Sequence, residues 1–157
     1  MVVRKIGNIS YRLREDQDFS WIGDYGTVFS VIDETGSGCI LFGLEKDGKK
    51  YFAKIAGAKT IETEVSPEES VRLLKDAVQK YRDIRNENLV RYVDSFEKDG
   101  CFAVIFEYAE GECLFDHWNF DRYAANGAEE SLGYRFKKLP AGKRLAVAEK
   151  LFAFLRT

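Results

Sequence analysis

The tetrapeptide Glu-Lys-Asp-Gly occurs twice, at residues 45–48 and 97–100, and each copy lies between two runs rich in aromatic and β-branched residues. Asp-Gly in this setting is a strong hairpin signal, because glycine readily adopts the positive φ that a tight turn requires. Together with one further run upstream, the pattern predicts five antiparallel strands. The predicted strands are residues 27–32, 39–44, 50–55, 90–96 and 101–108.

One helix is predicted between the two hairpins. Ser66 precedes Pro67, and Glu69 follows three residues after the serine, which is the pattern of a capped helix start with a capping box. Apolar residues then recur at steps of three and four, as on the buried face of an amphipathic helix. They are Val71, Leu74, Val78 and Tyr81. The predicted fold class is therefore α+β, a five-stranded antiparallel sheet with one packed helix, followed by short helical segments.

The two ends of the chain have weaker patterns. Residues 9–13 are a candidate for an additional strand, residues 114–118 for a short helix, and residues 119–138 have the composition of a loose segment. Pro140 precedes a last predicted helix. Its apolar face would comprise Leu145, Ala148, Leu151, Phe152 and Leu155. We predict an N-terminal extension at residues 1–26, a sheet-and-helix domain at 27–108 and a helical remainder at 109–157.

Composition and charge exclude several classes of function. The chain has 24 basic and 26 acidic residues and a formal charge of −2, so no strong field favours nucleic acid or an anionic membrane. Three cysteines without C-x-x-C spacing and a single histidine argue against a disulfide framework or a zinc site. No apolar run has the length of a membrane span, and the N-terminus lacks a signal peptide. We therefore predict a cytoplasmic location.

The order of several motifs points to a known family. A glycine-containing turn is followed by Lys54 on a strand, the capped helix, Asn-Leu-Val at residues 88–90, and Phe-Glu-Tyr-Ala at residues 106–109. This order resembles the N-terminal lobe of the protein kinases, of the serine/threonine type, with the start of the second lobe up to residue 157. The resemblance implies an ATP-binding lobe.

Two positions compete for the family's glycine loop. Residues 23–28 imitate the end of the G-x-G-x-x-G-x-V motif, and Gly36 and Gly38 lie nearer to Lys54. We choose Gly36 and Gly38, because that register leaves one hairpin between loop and lysine, as the family's connected strands require. Glycine lets backbone N–H groups approach phosphate oxygens, and the Lys54 ammonium would neutralise their charge.

The resemblance also implies the remaining ATP contacts. The family's interval places the glutamate that pairs with the lysine at Ala77, so the neighbouring Asp76 is the expected partner of Lys54. Backbone groups of Glu107 and Ala109 would bind adenine, with Phe106 as the gatekeeper. Further contacts are expected from Glu112 at the ribose and from apolar walls above the base. The expected walls are Ile32, Cys39 and Ala53.

Phosphoryl transfer requires an aspartate for the acceptor hydroxyl and further ligands for magnesium. In the family these follow the helix that here spans residues 143–156, so we assign no catalytic or metal-binding residue and expect magnesium only together with a second lobe. Asp116, His117 and Trp118 receive no catalytic role, because no nucleophile or third partner accompanies them.

The expected function is an ATP-binding kinase-type lobe that is inactive alone. Two alternatives stay open: a pseudokinase or interaction module, and the lobe of a small-molecule kinase of the aminoglycoside or choline type. The expected partners are ATP, a protein substrate or partner, and a second copy bound through the apolar face of the last helix.

Overall fold

The computed structural model describes residues 1–84, 86–111 and 131–154. The chain forms two compact units, Met1–Ala109 and Glu110–Thr157. No helix among the described residues combines the length and the apolar character that a bilayer span requires.

Seven strands form two antiparallel sheets in the described part of the first unit. Strands β1 and β2 make a hairpin, and the other five form a sheet in the order β3-β4-β5-β7-β6. The strands are β1 Val2–Ile6, β2 Ile9–Leu13, β3 Thr27–Ile32, β4 Cys39–Lys46, β5 Lys49–Ala56, β6 Tyr92–Lys98 and β7 Cys101–Glu107. The predicted five-stranded antiparallel sheet is confirmed, as is the candidate strand at residues 9–13.

Both Asp-Gly turns have the expected backbone. Asp47 and Gly48 have φ of 52° and 71°, and Asp99 and Gly100 have φ of 50° and 76°. Positive φ at both central residues is the conformation of a type I′ turn, whose twist matches that of the flanking strands. The repeated tetrapeptide therefore fixes the register of both hairpins.

Helix α1 spans Pro67–Asp83 and begins where the sequence indicates. The Ser66 side chain accepts a hydrogen bond from the Glu69 N–H, and Pro67 occupies the first turn, where its missing N–H costs nothing. The Glu69 carboxylate binds Arg72 at 2.7 and 2.8 Å. The serine half of the predicted capping box is thus present, whereas the glutamate is turned toward the following helical turn.

Other elements pack on both faces of the five-stranded sheet. Helix α1 packs on one face and forms the helix-side cluster, which consists of Cys39, Ala56, Leu74, Val78, Phe102, Val104 and Phe106. The N-terminal 26 residues, including a 3-10 helix at Ser20–Tyr25, pack on the other face. This hairpin-side cluster includes Tyr11, Leu13, Phe19, Trp21, Ile22, Ile40, Phe42, Leu44, Ala53 and Ile55.

Hydrogen bonds also attach the N-terminal segment to the loop after β5. The Arg14 guanidinium donates to the carbonyls of Ile61 and Thr63 at 2.9 and 2.7 Å. The Gln17 side chain donates to the Gly57 carbonyl and accepts from the Lys59 N–H, both at 3.1 Å. The N-terminal segment therefore contributes both apolar and polar contacts to this unit.

Two helices are described in the second unit, α2 Leu132–Lys138 and α3 Ala141–Phe154. The prediction of a loose segment was wrong at α2, where the Ser131 hydroxyl caps the helix by accepting from the Tyr134 N–H at 3.1 Å. The last helix is confirmed, and Leu145, Leu151 and Phe152 on it are exposed. Residues 114–118 and Leu155 lie outside the described residues.

Candidate functional site

Lys54 lies on the face of the sheet that α1 covers. Phe52 packs against the helix-side cluster and Ala56 belongs to it, and Lys54 is two residues from each on β5. Because side chains alternate between faces along a strand, the Lys54 side chain shares their face. Lys54 is half-buried, and its backbone pairs with Leu41 on β4 and with Val104 on β7.

The structure does not bring Asp76 to Lys54. Asp76 is 67% exposed and binds Arg72 at 3.0 Å, one helical turn away. The phase of α1 explains this, because Leu74 and Val78 set the buried face and Asp76 lies two residues from each of them. Among the residues that the structure describes, no carboxylate forms an ion pair with Lys54.

The turn with Gly36 and Gly38 lies at the same end of the sheet as Lys54. Cys39, directly after the turn, pairs with Ala56 of β5, and the Gly38 carbonyl accepts from the Ala58 N–H at 3.1 Å. Gly26, in the competing register, precedes Thr27, which pairs with Glu45 at the far end of β4. Of the two glycine registers, only that of Gly36 and Gly38 is therefore near Lys54.

Three buried hydroxyls hold this turn in place, and we call Thr60, Thr63 and Ser70 the hydroxyl bracket. The Ser70 hydroxyl lies 3.0 Å from the carbonyl oxygens of both Ser37 and Gly38. The Thr60 and Thr63 hydroxyls donate to the carbonyls of Thr35 and Gly36 at 2.9 and 3.4 Å. The turn is thus anchored by side chains that come from the loop after β5 and from α1.

The two glycines of the turn have different structural requirements. Gly38 has φ +68°, and a Cβ there would meet Ser70 and Thr63 atoms at 3.1 Å, whereas a Cβ on Gly36 would have no neighbour within 4 Å. Gly38→Ala is therefore expected to lower the free energy of unfolding by about 1–3 kcal/mol. Gly36→Ala is expected to change it by less than about 0.5 kcal/mol. Urea unfolding of both variants checks this, and equal losses would contradict it.

The three predicted apolar walls do not share one face. Ala53 belongs to the hairpin-side cluster, so it points away from Lys54, as the alternation of a strand requires for an adjacent residue. Cys39 lies in the helix-side cluster, and Ile32 is 40% exposed beside Leu41. The apolar neighbours on the Lys54 face that sequence reasoning missed are Leu41 and Phe52.

The predicted hinge follows β7. Phe106 is buried and meets the Tyr81 ring of α1 edge to face, with 5.1 Å between ring centroids. The Glu107 N–H donates to the Arg91 carbonyl at 2.9 Å, and the Tyr108 N–H donates to the Lys50 carbonyl at 3.2 Å. These bonds continue the ladder to Tyr108, one residue past the strand, and the next residue, Ala109, is exposed.

A cavity of about 850 Å³ borders this hinge and is lined by the end of α1, the segment before β6, and residues 107–109. Lys54 is not among its lining residues. Two of its lining residues, Tyr81 and Tyr92, also pack against the helix-side cluster. Glu112, Asp116, His117 and Trp118 lie outside the described residues.

Two other kinds of reactive group are relevant in the described part of the chain, metal-ligating side chains and the Cys101 thiol. It contains no cluster of three or more acidic, histidine or cysteine side chains that could hold a metal ion. Burial, reinforced by the charge of Asp99, raises the pKa of Cys101 to about 11. This thiol is therefore protonated at neutral pH and is a poor nucleophile.

Comparison with known proteins finds similarity to serine/threonine-protein kinases. The chain is 34% identical over 87 residues to serine/threonine-protein kinase 36 of Pongo abelii, a match that covers 55% of this chain and 6% of that protein. It is 30% identical over 89 residues to serine/threonine-protein kinase TIO of Arabidopsis thaliana, with 56% and 6% coverage. No family model matches the chain. The similarity to these kinases, together with the five-stranded antiparallel sheet and its packed helix, identifies a protein-kinase-like N-terminal lobe in this chain.

Proposed function

We propose that the unit Met1–Ala109 is an ATP-binding lobe of the serine/threonine protein kinase type, and that ATP binds on the face of the sheet that carries Lys54. The placement of Lys54 supports this proposal. Its side chain is half-buried beside apolar neighbours, and no carboxylate of the described residues pairs with it. Partial burial of an ammonium group costs free energy unless an anionic group pairs with it, and phosphate oxygens are such a partner.

In this proposal, each part of the nucleotide has its own contact. The Lys54 ammonium neutralises the phosphates next to the turn with Gly36 and Gly38. The hinge supplies backbone groups, so that the Glu107 carbonyl accepts from the exocyclic amine of adenine and the Ala109 N–H donates to a ring nitrogen. The described residues include no metal-binding cluster, and we assign neither a catalytic residue nor a magnesium ligand to them.

The test is ATP binding by calorimetric titration of wild type, Lys54→Met and Lys49→Met. A hydrogen bond to a charged group contributes about 1.5–3 kcal/mol, so Lys54→Met is expected to weaken ATP binding by about 10- to 150-fold. Lys49 is exposed on the same strand, and its replacement is expected to leave the Kd within about 2-fold of the wild-type value. Equal affinity of wild type and Lys54→Met would show that the lysine assignment is wrong.

The interaction-module alternative has its own supporting observation. Asp76 is bound to Arg72, so Lys54 lacks the helix carboxylate that the kinase pattern predicts. If wild type shows no ATP binding, with or without magnesium, and instead forms a stable complex or dimer, this alternative replaces the ATP-binding lobe.

A further inference from the structure

The N-terminal hairpin holds two carboxylates that directly precede the glycine turn. Asp33 and Glu34 lead from β3 into the turn with Gly36 and Gly38, and Asp33 is buried. The Arg12 backbone N–H donates to the Asp33 carboxylate at 2.6 Å, and the Arg12 Nε donates to the same oxygen at 3.3 Å. The Arg12 guanidinium also forms an ion pair with Glu34. Strand β2 is therefore attached to the segment that enters the turn.

A second attachment runs through the hydroxyl bracket. The Arg14 guanidinium holds the Thr63 carbonyl, and the Thr63 hydroxyl in turn holds the Gly36 carbonyl. The Arg14 backbone N–H donates to the Lys59 carbonyl at 2.8 Å, next to Thr60, whose hydroxyl also holds a carbonyl of the turn. Two of the three residues that hold the turn are thus themselves held, directly or through a neighbour, by Arg14.

A third attachment surrounds the backbone bond between the turn and the loop after β5. The Ala58 N–H donates to the Gly38 carbonyl at 3.1 Å. The Gln17 side chain binds the residues on either side of Ala58, since it donates to the Gly57 carbonyl and accepts from the Lys59 N–H. The bond that closes the turn onto the loop therefore lies between two contacts made by Gln17.

These polar contacts are separate from the apolar packing of the same segment. Tyr11 and Leu13 on β2 are fully buried in the hairpin-side cluster, and Arg12 lies between them. Because side chains alternate along a strand, the Arg12 side chain points away from that cluster. We call Arg12, Arg14 and Gln17 the polar clasp. Loss of its charges leaves the apolar packing of β2 in place.

We propose that the polar clasp positions the glycine turn and so couples the N-terminal segment to the proposed phosphate site; only the coupling to the ligand rests on the proposed function. In the closed arrangement, the Gly38 carbonyl is bonded to the Ala58 N–H and the clasp holds both sides of that bond. Arg12 and Arg14 are positioning residues, because they act on the turn through Asp33 and Thr63.

The experiment measures how readily the turn opens. Hydrogen exchange of the Ala58 amide, which reports directly on the bond to Gly38, is followed by nuclear magnetic resonance in wild type, in the double variant Arg12→Met with Arg14→Met, and in Arg4→Met. Loss of a partly exposed charged contact corresponds to a factor of about 1.5 to 5, so loss of two is expected to accelerate the exchange by about 10-fold.

Arg4→Met is the matched control. The side chains of Arg4 and Arg12 are both 43% exposed and belong to the same hairpin, but the partner of Arg4 at 2.7 Å is Asp16, within the N-terminal segment itself. Its replacement is expected to leave Ala58 exchange within about 2-fold of the wild-type rate. A role confined to stabilising the N-terminal segment would instead affect both variants alike.

The coupling to the ligand is measured on the same amide. A ligand that binds only the closed turn stabilises it by mass action, so ATP at about ten times its Kd is expected to slow Ala58 exchange in wild type by about 10-fold. If thermal unfolding shows that the double variant is not folded, Arg12→Met alone replaces it, with an expected acceleration of about 3-fold.

Each outcome decides one question. Unchanged Ala58 exchange in the clasp variant, or equal acceleration in Arg4→Met, would overturn the polar clasp. Binding of ATP without any slowing of Ala58 exchange would overturn the coupling to the ligand. A wild-type protein that binds no ATP would overturn the proposed function, whereas the exchange rates of the variants would still decide whether the clasp positions the turn.

Discussion

Phe42→Ala is expected to lower the free energy of unfolding of the N-terminal unit by about 3–5 kcal/mol, the usual cost of deleting a fully buried phenylalanine ring. Phe42 is completely buried at the centre of the hairpin-side cluster. Its ring centroid lies 5.7 Å from that of Tyr11 and 6.1 Å from that of Phe19, so its removal leaves a cavity where the N-terminal segment meets the sheet. Urea unfolding followed by circular dichroism measures the change.

Phe152→Ala is the matched control for this substitution. Phe152 is 64% exposed on α3, and its replacement is expected to change the free energy of unfolding by no more than about 0.5 kcal/mol. If the two variants lost stability equally, burial of Phe42 between sheet and hairpin would not be what holds this unit together.

Removal of residues 1–26 is expected to unfold the first unit. The deleted segment contributes Tyr11, Leu13, Phe19, Trp21 and Ile22 to the hairpin-side cluster, all of them buried. Burial of a large apolar side chain contributes about 1.5–3 kcal/mol, so five such residues amount to about 7–15 kcal/mol. Because a whole domain is stable by about 5–15 kcal/mol, the remaining sheet is not expected to persist without them.

The readout for the deletion is the dispersion of amide signals in a proton spectrum and the cooperativity of thermal unfolding. A deletion of residues 1–6, which removes mostly exposed side chains of β1, is the control and is expected to keep the cooperative transition. A shortened chain from residue 27 that unfolds at the wild-type temperature would instead show that residues 27–108 fold as an independent domain.

The sheet could be predicted because its signals are local. Each Asp-Gly dipeptide specifies a type I′ turn, and the runs on either side of it are long enough to define strands. Ser66 and Pro67 mark the start of α1 for the same reason, since a cap is formed within one turn. By contrast, β1 has two basic residues among its five and a mostly exposed burial pattern, so no alternation marks it as a strand. The cover that residues 1–26 place on the sheet depends on contacts with strands far along the chain.

The candidate site was less predictable because it depends on side-chain direction. The alternation of β5 already implied that Ala53 and Lys54 point to opposite faces, and the spacing of Leu74 and Val78 implied that Asp76 faces solvent; both signals were present in the sequence. The direction of the Phe29 side chain could not be predicted in this way. It depends on a bulge between Val28 and Ser30, which the residue types of β3 do not indicate. The hydroxyl bracket likewise joins residues 25 to 33 positions apart, beyond the reach of any local pattern.

The hydroxyl bracket has a consequence for the thermodynamics of any ligand that touches the turn at Gly36 and Gly38. Fixing the backbone of a free loop costs about 1–2 kcal/mol for each residue. Here the carbonyls of residues 35–38 are already held by Thr60, Thr63 and Ser70, so that cost forms part of the folding free energy of the lobe. A ligand that meets this turn encounters a preorganised surface, and its binding energy is not reduced by the entropy of ordering a mobile segment.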